Sequence, residues 1–250
     1  MKVTLKDIEY VLKKLLPEKY LLEKRLKRSI KNNYENELNV INKFSDNKKE
    51  AIDVGVYRGV YSYKLSKQFK FVHAFEPNPI IFPYLNKYLI KIIKNIRLYN
   101  IALSNKSGQV NLRVPNRGKS FFVDNAEEIY KLGCATIHKE NHFSNYESFR
   151  VKEEKLDNLI KSENLGFIKI DVEGHEIEVI KGGINLIKKN KPVLLVEIEK
   201  RHTKKNVKNT LNEINNLGYQ SYFLKDKDLI NTEKLNDHKL YNNYIFTPKN

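Results

Sequence analysis

Hydrophobic positions change their period along the chain in a repeating order, and each change marks an element. Leu5, Ile8, Val11, Leu12, Leu15 and Leu16 recur at helical spacing, so Thr4–Phe44 reads as helical, with Pro17 breaking or restarting it. Tyr20–Ile30 is again amphipathic, and Ser45–Lys49 is a polar connector. The short apolar run Ala51–Val54 then predicts a buried strand, Val60–Phe69 a helix, Phe71–Phe75 a strand and Ile80–Ile93 a helix. Ile96–Leu103 reads as a third strand, turning at Ser104–Gly108 into the alternating segment Gln109–Val114. After an irregular stretch from Pro115 to Phe149, Val151 onward passes from strand-like into a helix start at Leu156–Leu159. Phe167–Val172 is a buried strand, followed by an amphipathic helix through Ile187 with Gly182 and Gly183 inside or at its end. Pro192–Ile198 is the most apolar strand, and Val207–Leu217 a last helix with Gly218 as its C-cap. Tyr219–Leu224 and Tyr241–Phe246 close the pattern as an antiparallel edge. Strands alternating with helices predict an α/β fold with a mainly parallel sheet and right-handed crossovers.

The chemistry concentrates where strands end. Ala51–Gly59 reads AIDVGVYRG, a strand followed by two glycines and a helix. Glycine lets backbone approach a ligand, and a following helix presents free N–H groups. The spacing D-x-G-x-x-x-G is not the dinucleotide fingerprint G-x-G-x-x-G, so a nicotinamide cofactor is not the first choice. Glu76 stands at the tip of the second strand, about 20 residues after the glycine turn, where a carboxylate accepts both ribose hydroxyls. A solvated turn carboxylate is the plainer alternative. Farther along, strand ends carry Asp171, Glu173, His175, Glu197 and Glu199. Asp171, Glu173 or His175 is placed to take or orient the proton of a hydroxyl, although Asp171 equally suits a helix cap. His138 and His142 are four apart, but without an H-E-x-x-H pattern they read as surface histidines.

Composition narrows the setting. The chain has 250 residues, 40% hydrophobic and 11% aromatic, enough for a real core. Its single cysteine, Cys134, excludes an intrachain disulfide and a Cys-rich metal site. No apolar run approaches the roughly 18 residues of a membrane span, and no signal-peptide core is evident, which predicts a soluble cytoplasmic protein. The net charge of +16 invites a nucleic-acid partner. Lys and Asn are abundant throughout, however, and no RNA-binding, zinc-finger or helix-turn-helix spacing appears. The cluster Lys24, Arg25, Lys27 and Arg28 suits a basic arm toward a membrane, a nucleic acid or a partner. It suits equally a helical cap packed on the catalytic domain or on a second subunit, the latter giving a homo-oligomer.

The blocks AIDVGVYRGVYS, HAFEPNP, NIALS with Gly108, KLDNL, FIKIDVEGHEIEVIKGG and LLVEIE resemble, in this order, the FkbM-type methyltransferases of the class I S-adenosylmethionine (SAM) fold. The resemblance implies a Rossmann-like, mostly parallel seven-stranded sheet with helices on both faces. It divides the chain into an N-terminal helical extension, 1–45, and a SAM-dependent methyltransferase domain, 46–250. It implies that Asp53, Gly55, Tyr57, Arg58, Gly59, Glu76 and Asn78 hold SAM, with the adenine near Ile101 and Ala102. Val56, Tyr57 and Arg58 depart from the family's usual turn, and Arg58 suits the methionine carboxylate. The implied reaction is O-methyl transfer to a hydroxyl of a sugar, glycan or other small molecule, by in-line attack on the SAM methyl. Asp171 is the first candidate for assisting the hydroxyl, then His175 and Glu173. A divalent metal, if used, would sit on Asp171 and Glu197. An RNA methyltransferase with the same SAM site and a non-catalytic SAM-fold scaffold are the alternatives.

Overall fold

The computed structural model describes residues 16–32, 35–115, 135–138, 145–199, 207–235 and 241–249. Residues before 16, the Cys134 and His142 positions, and most of the stretch 116–144 lie outside them. Two helices open the described chain, α1 (Glu18–Lys31) and α2 (Glu37–Lys43), with Pro17 at the α1 N-cap, where its missing N–H costs nothing. The Rossmann-like body follows as β1 (Asp46–Val54), α3 (Val60–Leu65), β2 (Phe69–Phe75), α4 (Phe82–Ile92) and β3 (Ile96–Tyr99). The strands β4 (Ala102–Leu103), β5 (Gly108–Pro115) and β6 (Tyr146–Glu154) come next, then α5 (Leu156–Leu159), β7 (Leu165–Ile170), α6 (Glu176–Gly182), α7 (Ile184–Asn190) and β8 (Val193–Glu197). The chain closes with α8 (Val207–Asn215), β9 (Tyr219–Lys225), β10 (Asp228–Asn231) and β11 (Asn243–Pro248).

The main sheet has the order β10-β9-β11-β8-β7-β1-β2-β3. Strands β8, β7, β1, β2 and β3 run parallel, while β11 is antiparallel to both β8 and β9. This corrects the expected seven strands to eight. The additional strand is β10, which folds back on β9 after a turn in which Asp226 takes a positive φ. The core lies in two layers, one on each face. One joins Leu22, Leu26, Leu38 and Ile41 of α1 and α2 to Leu65, Leu85 and Leu89 of α3 and α4. The other joins Leu156, Val179, Ile187 and Leu211, one from each of α5 to α8.

Several segments depart from the periodic reading, among them Tyr146–Phe149, which is not irregular but the first part of β6. The connector Ser45–Lys49 is largely strand, because β1 begins at Asp46 with an exposed polar half before its buried end. The third strand divides at Asn100, whose side-chain amide donates to the Glu76 carbonyl (2.8 Å). Beyond it, β4 leaves the main sheet and pairs with β6 in the small sheet β4-β6-β5. The amphipathic helix after β7 divides at Gly182–Gly183. A Cβ on Gly182 would stand 1.9 Å from the Ser104 carbonyl oxygen, so the helix touches the β4 end backbone to backbone. No helix among the described residues is long and apolar enough to cross a membrane.

Candidate active site

The carboxyl ends of β1, β2, β7 and β8 open onto one cavity of about 270 Å³. Its first end is built by the glycine turn after β1. Gly55 takes φ 83°, and a Cβ there would meet the Asp171 carbonyl oxygen at 1.9 Å, so this position needs glycine on both counts. Tyr57 is held at φ 50°, uncommon for a bulky residue, with its N–H donating to Glu76 Oε2 (2.8 Å). Glu76 Oε1 accepts a second backbone N–H, from Asn78 (2.9 Å). Despite these bonds, burial pushes the Glu76 carboxyl up to about 7. Asn78 turns its carbonyl oxygen to the N–H of Ile80 (3.0 Å) and leaves its buried Nδ2 with no hydrogen-bond partner among the described residues. Phe75, Ile101, Ala102 and Leu103 supply an apolar wall beside it. Arg58 lines the same end, its guanidinium 5.0 Å from the centre of the Tyr57 ring.

Asp53 and Gly59 are not on the cavity wall. Asp53 is fully buried behind the turn, where Oδ2 accepts from Ser62 Oγ (2.5 Å) and Oδ1 lies 3.9 Å from Lys169 Nζ. Gly59 is the N-cap of α3, at φ 79°, packed against Leu89.

The second end is a charged ladder across neighbouring strands. Asp53 of β1 is in register with Lys169 of β7, and Lys169 shares a face with Asp171 two residues on. Lys169 Nζ donates to Asp171 Oδ2 (3.0 Å) and to the Gly55 carbonyl (3.0 Å), with the Tyr61 ring 4.9 Å away. Burial works against its charge, but Asp171 and Asp53 raise its pKa well above the ordinary lysine value. One step past the Ile170–Val196 pair, Asp171 follows the end of β7 and Glu197 ends β8, and both line the cavity. Burial, then the Asp171 charge and a hydrogen bond to its side chain, push the Glu197 carboxyl up to about 11.

Glu173 and His175 complete this end. The turn holding them has Glu173 at φ 56° and Gly174 at φ 100°, pinned by Glu176 Oε1, which accepts from Gly174 N (2.9 Å) and Val172 N (3.2 Å). Burial pushes the Glu176 carboxyl up to about 7. Helix capping, the alternative role for Asp171, is not taken up: α6 has His175 at its N-cap and no side-chain cap hydrogen bond, and Glu176 pins the turn before the helix instead. Thr136, fully buried, donates to the Glu173 carbonyl (2.8 Å) and ties the segment 135–138 to the turn. His175 Nε2 lies 3.0 Å from Ser104 Oγ, and Glu178 is 3.8 Å from Nδ1. Burial lowers the His175 pKa, Glu178 opposing and His138 adding to it, so the ring is neutral near pH 7. The Asp171–Glu197 pair does not suit a divalent ion. An ammonium already occupies Asp171, and no three His, Cys, Asp or Glu side chains among the described residues converge on a metal position.

Sequence reasoning missed Lys169, Ser62, Glu176 and Ser104. Lys169 alone left a signal, a lysine inside the apolar run FIKIDV, since a buried charge requires partners.

The profile of the family described as the methyltransferase FkbM domain matches residues 53–221. Among solved structures, the chain is similar to an FkbM methyltransferase from Methylobacillus flagellatus KT (15% identity, TM-score 0.50). That match covers 80% of this chain and 44% of the other, so this chain spans under half the length of that relative. It is also similar to an rRNA methylase from Streptococcus thermophilus (11% identity, TM-score 0.47, covering 85% of this chain and 93% of that one). A SAM-dependent methyltransferase from Aquifex aeolicus matches at 14% identity and TM-score 0.44, over 93% of this chain and 98% of that one. No curated protein matches the sequence significantly.

Proposed function

The chain belongs to the FkbM methyltransferase domain family, and from that premise we propose that it is a SAM-dependent O-methyltransferase acting on a hydroxyl of a sugar, glycan or other small molecule. The observation carrying this reading is one cavity with two chemically different ends. At the β2 end, the buried Asn78 Nδ2 lacks a hydrogen-bond partner among the described residues and Glu76 keeps lone pairs beyond its two backbone bonds, which suits a ribose and its neighbours. Ile101 and Ala102 offer an apolar slot for an adenine, and Arg58 a counter-charge for the methionine carboxylate. Gly55 keeps the turn free of any side chain between the two ends. SAM, when bound, supplies an electrophilic methyl on a cationic sulfur.

The β7 and β8 ends face the acceptor with carboxyl groups. Asp171 is our first choice for accepting the hydroxyl proton, anchored by Lys169 so that its remaining oxygen is aimed rather than free. Glu173 and His175 stand next in line. We take 1–45 as an extension on a methyltransferase domain of 46–250, with Glu35 reaching the cavity wall from the extension. Four carboxyl groups, Glu35, Asp171, Glu173 and Glu197, line this end. They disfavour a phosphodiester acceptor despite the +16 of the whole chain, which argues against RNA.

Thermal unfolding with SAM, S-adenosylhomocysteine (SAH) or NAD tests the cofactor. A ligand at 100 times its Kd stabilises by about 2.7 kcal/mol. Shifts with SAM and SAH but not NAD are expected, followed by labelled-methyl transfer to a glycan extract and none to total RNA. No shift with SAM or SAH would refute the enzyme reading, and transfer to RNA alone would overturn the acceptor class.

A further inference from the structure

We propose that the solvent faces of α1 and α4 form a docking surface for an anionic lipid bilayer. The two helices lie in one layer on the same side of the sheet. Leu22 and Leu26 share a core with Leu85 and Leu89, and the Tyr84 hydroxyl donates to Glu18 (2.6 Å). The buried stripe Leu22, Leu26 and Ser29 turns the rest of α1 outward. The basic cluster seen in the sequence divides accordingly. Arg25 pairs with Glu18 (3.9 Å) and Lys27 with Glu23 (2.7 Å). Lys24, Arg28 and Lys31 are exposed and have no carboxyl partner among the described residues. On α4 and just past it, Lys87, Lys91 and Lys94 are exposed in the same way. Nothing local offsets that second set, because no acidic residue stands between Glu76 and Asp124.

Charge alone suits any polyanion, and the apolar side chains among the lysines decide between them. Four large hydrophobic side chains are exposed among the described residues, and three of them, Leu16, Tyr20 and Ile90, belong to this face. Tyr20 lies four residues before Lys24 on α1, and Ile90 lies between Lys87 and Lys94 on one stripe of α4. Such a stripe dips its apolar tips toward the acyl boundary while its ammonium groups reach lipid phosphates. RNA could use the lysines, but Leu16 and Ile90 offer no flat ring on which a base stacks. The helices on the other side of the sheet differ. Acidic residues are interspersed there, pairing Lys181 with Glu213 (2.9 Å) and Lys189 with Glu163 (2.6 Å). Both docking helices adjoin the cavity, since Ile81, the N-cap of α4, and Glu35, just beyond α1, line its wall. None of the exposed lysines does, so docking and cofactor binding are separable.

The experiment is sedimentation of the full chain with vesicles of equimolar phosphatidylglycerol and phosphatidylcholine, and with phosphatidylcholine alone, at rising salt. Binding to the anionic vesicles only, weakening with salt, is expected. Lys87→Gln with Lys91→Gln should weaken it about 30-fold, near fivefold per lysine. Lys161→Gln with Lys188→Gln, the same charge change on the other side of the sheet, should weaken it less than about twofold. Tyr20→Ser with Ile90→Ser should weaken vesicle binding about tenfold and leave any binding to poly(U) RNA unchanged. Unaltered thermal midpoints check that each variant is folded. No binding to anionic vesicles would overturn the proposal, and so would equal losses in the two lysine pairs, which would mean attraction by the overall charge. Tighter binding to poly(U) than to vesicles, insensitive to Tyr20 and Ile90, would make this a nucleic-acid face instead. Each of these results leaves the cofactor reading standing, because stabilisation by SAM is measured separately.

Discussion

Gly55→Ala tests whether the cavity depends on a backbone-to-backbone approach, and Gly218→Ala is its internal control. Both glycines sit at positive φ, 83° and 93°, so both alanines pay for a left-handed backbone. That costs about 1–2 kcal/mol, reduced by the roughly 0.4–1 kcal/mol that alanine gains by restricting the unfolded chain. Gly218 has nothing within 4 Å of its would-be Cβ, so the net loss there is about 1 kcal/mol. At Gly55 the Cβ would stand 1.9 Å from the Asp171 carbonyl oxygen and 3.1 Å from its carbon, atoms that cannot rotate away. The turn or the end of β7 must retreat by more than about 1 Å, an overpacking cost of about 1–3 kcal/mol. The same retreat strains the Asp171 N–H bond to Val54 (3.1 Å) and the Lys169 bond to the Gly55 carbonyl. The total for Gly55→Ala is about 2–4 kcal/mol. Urea unfolding of the ligand-free protein, followed by circular dichroism, reads both variants as a fall in midpoint at unchanged slope. The stabilisation by SAM should also vanish in Gly55→Ala and persist in Gly218→Ala. If Gly55→Ala loses no more stability than Gly218→Ala, the close approach is not the reason for the glycine and the account of the turn fails.

Two further outcomes follow from the charged groups. Glu176→Gln keeps an oxygen for the Gly174 and Val172 N–H groups but cannot ionise, and the wild-type carboxyl is raised from 4.5 to about 7 by burial. A raised carboxyl favours the fold fully below the unfolded pKa and loses that advantage as pH rises through about 7. The variant should therefore gain on the wild type between pH 4.5 and 7, levelling at up to about 3 kcal/mol, and a pH-independent difference in denaturation midpoints would contradict the burial argument. Asp171→Asn should retain SAM binding by calorimetry while labelled-methyl turnover falls about 100-fold or more. Wild-type turnover in that variant would assign the proton to another group.

The order of elements, the glycine turn, the carboxyl at the β2 tip and the acidic strand ends are all readable from the chain. Periodicity and turn chemistry are local, because neighbours in sequence decide whether Ala51–Val54 is a strand or Val60–Leu65 a helix. The FIKIDVEGHE block could be placed at a strand end for the same reason. What that reading could not supply is which strand lies beside which. The strands β7 and β8 are adjacent only through the sheet order, and that adjacency sets the Asp171 charge against Glu197, which together with burial pushes the Glu197 carboxyl up. The adjacency of β1 and β7 likewise puts Lys169 between Asp53 and Asp171, carboxyl groups far apart in sequence, and so lets a buried ammonium keep its charge. Asp53 shows the converse, a residue whose motif points to the ligand but whose side chain turns to Ser62 behind the turn. Even the eighth strand depended on a hairpin at Asp226 whose only reward is pairing on β9. Local sequence determined the elements and the residue types at their ends. Tertiary structure decided protonation, partnership and exposure, because those depend on distances across strands and on water excluded by the two core layers, neither of which any single stretch of chain contains.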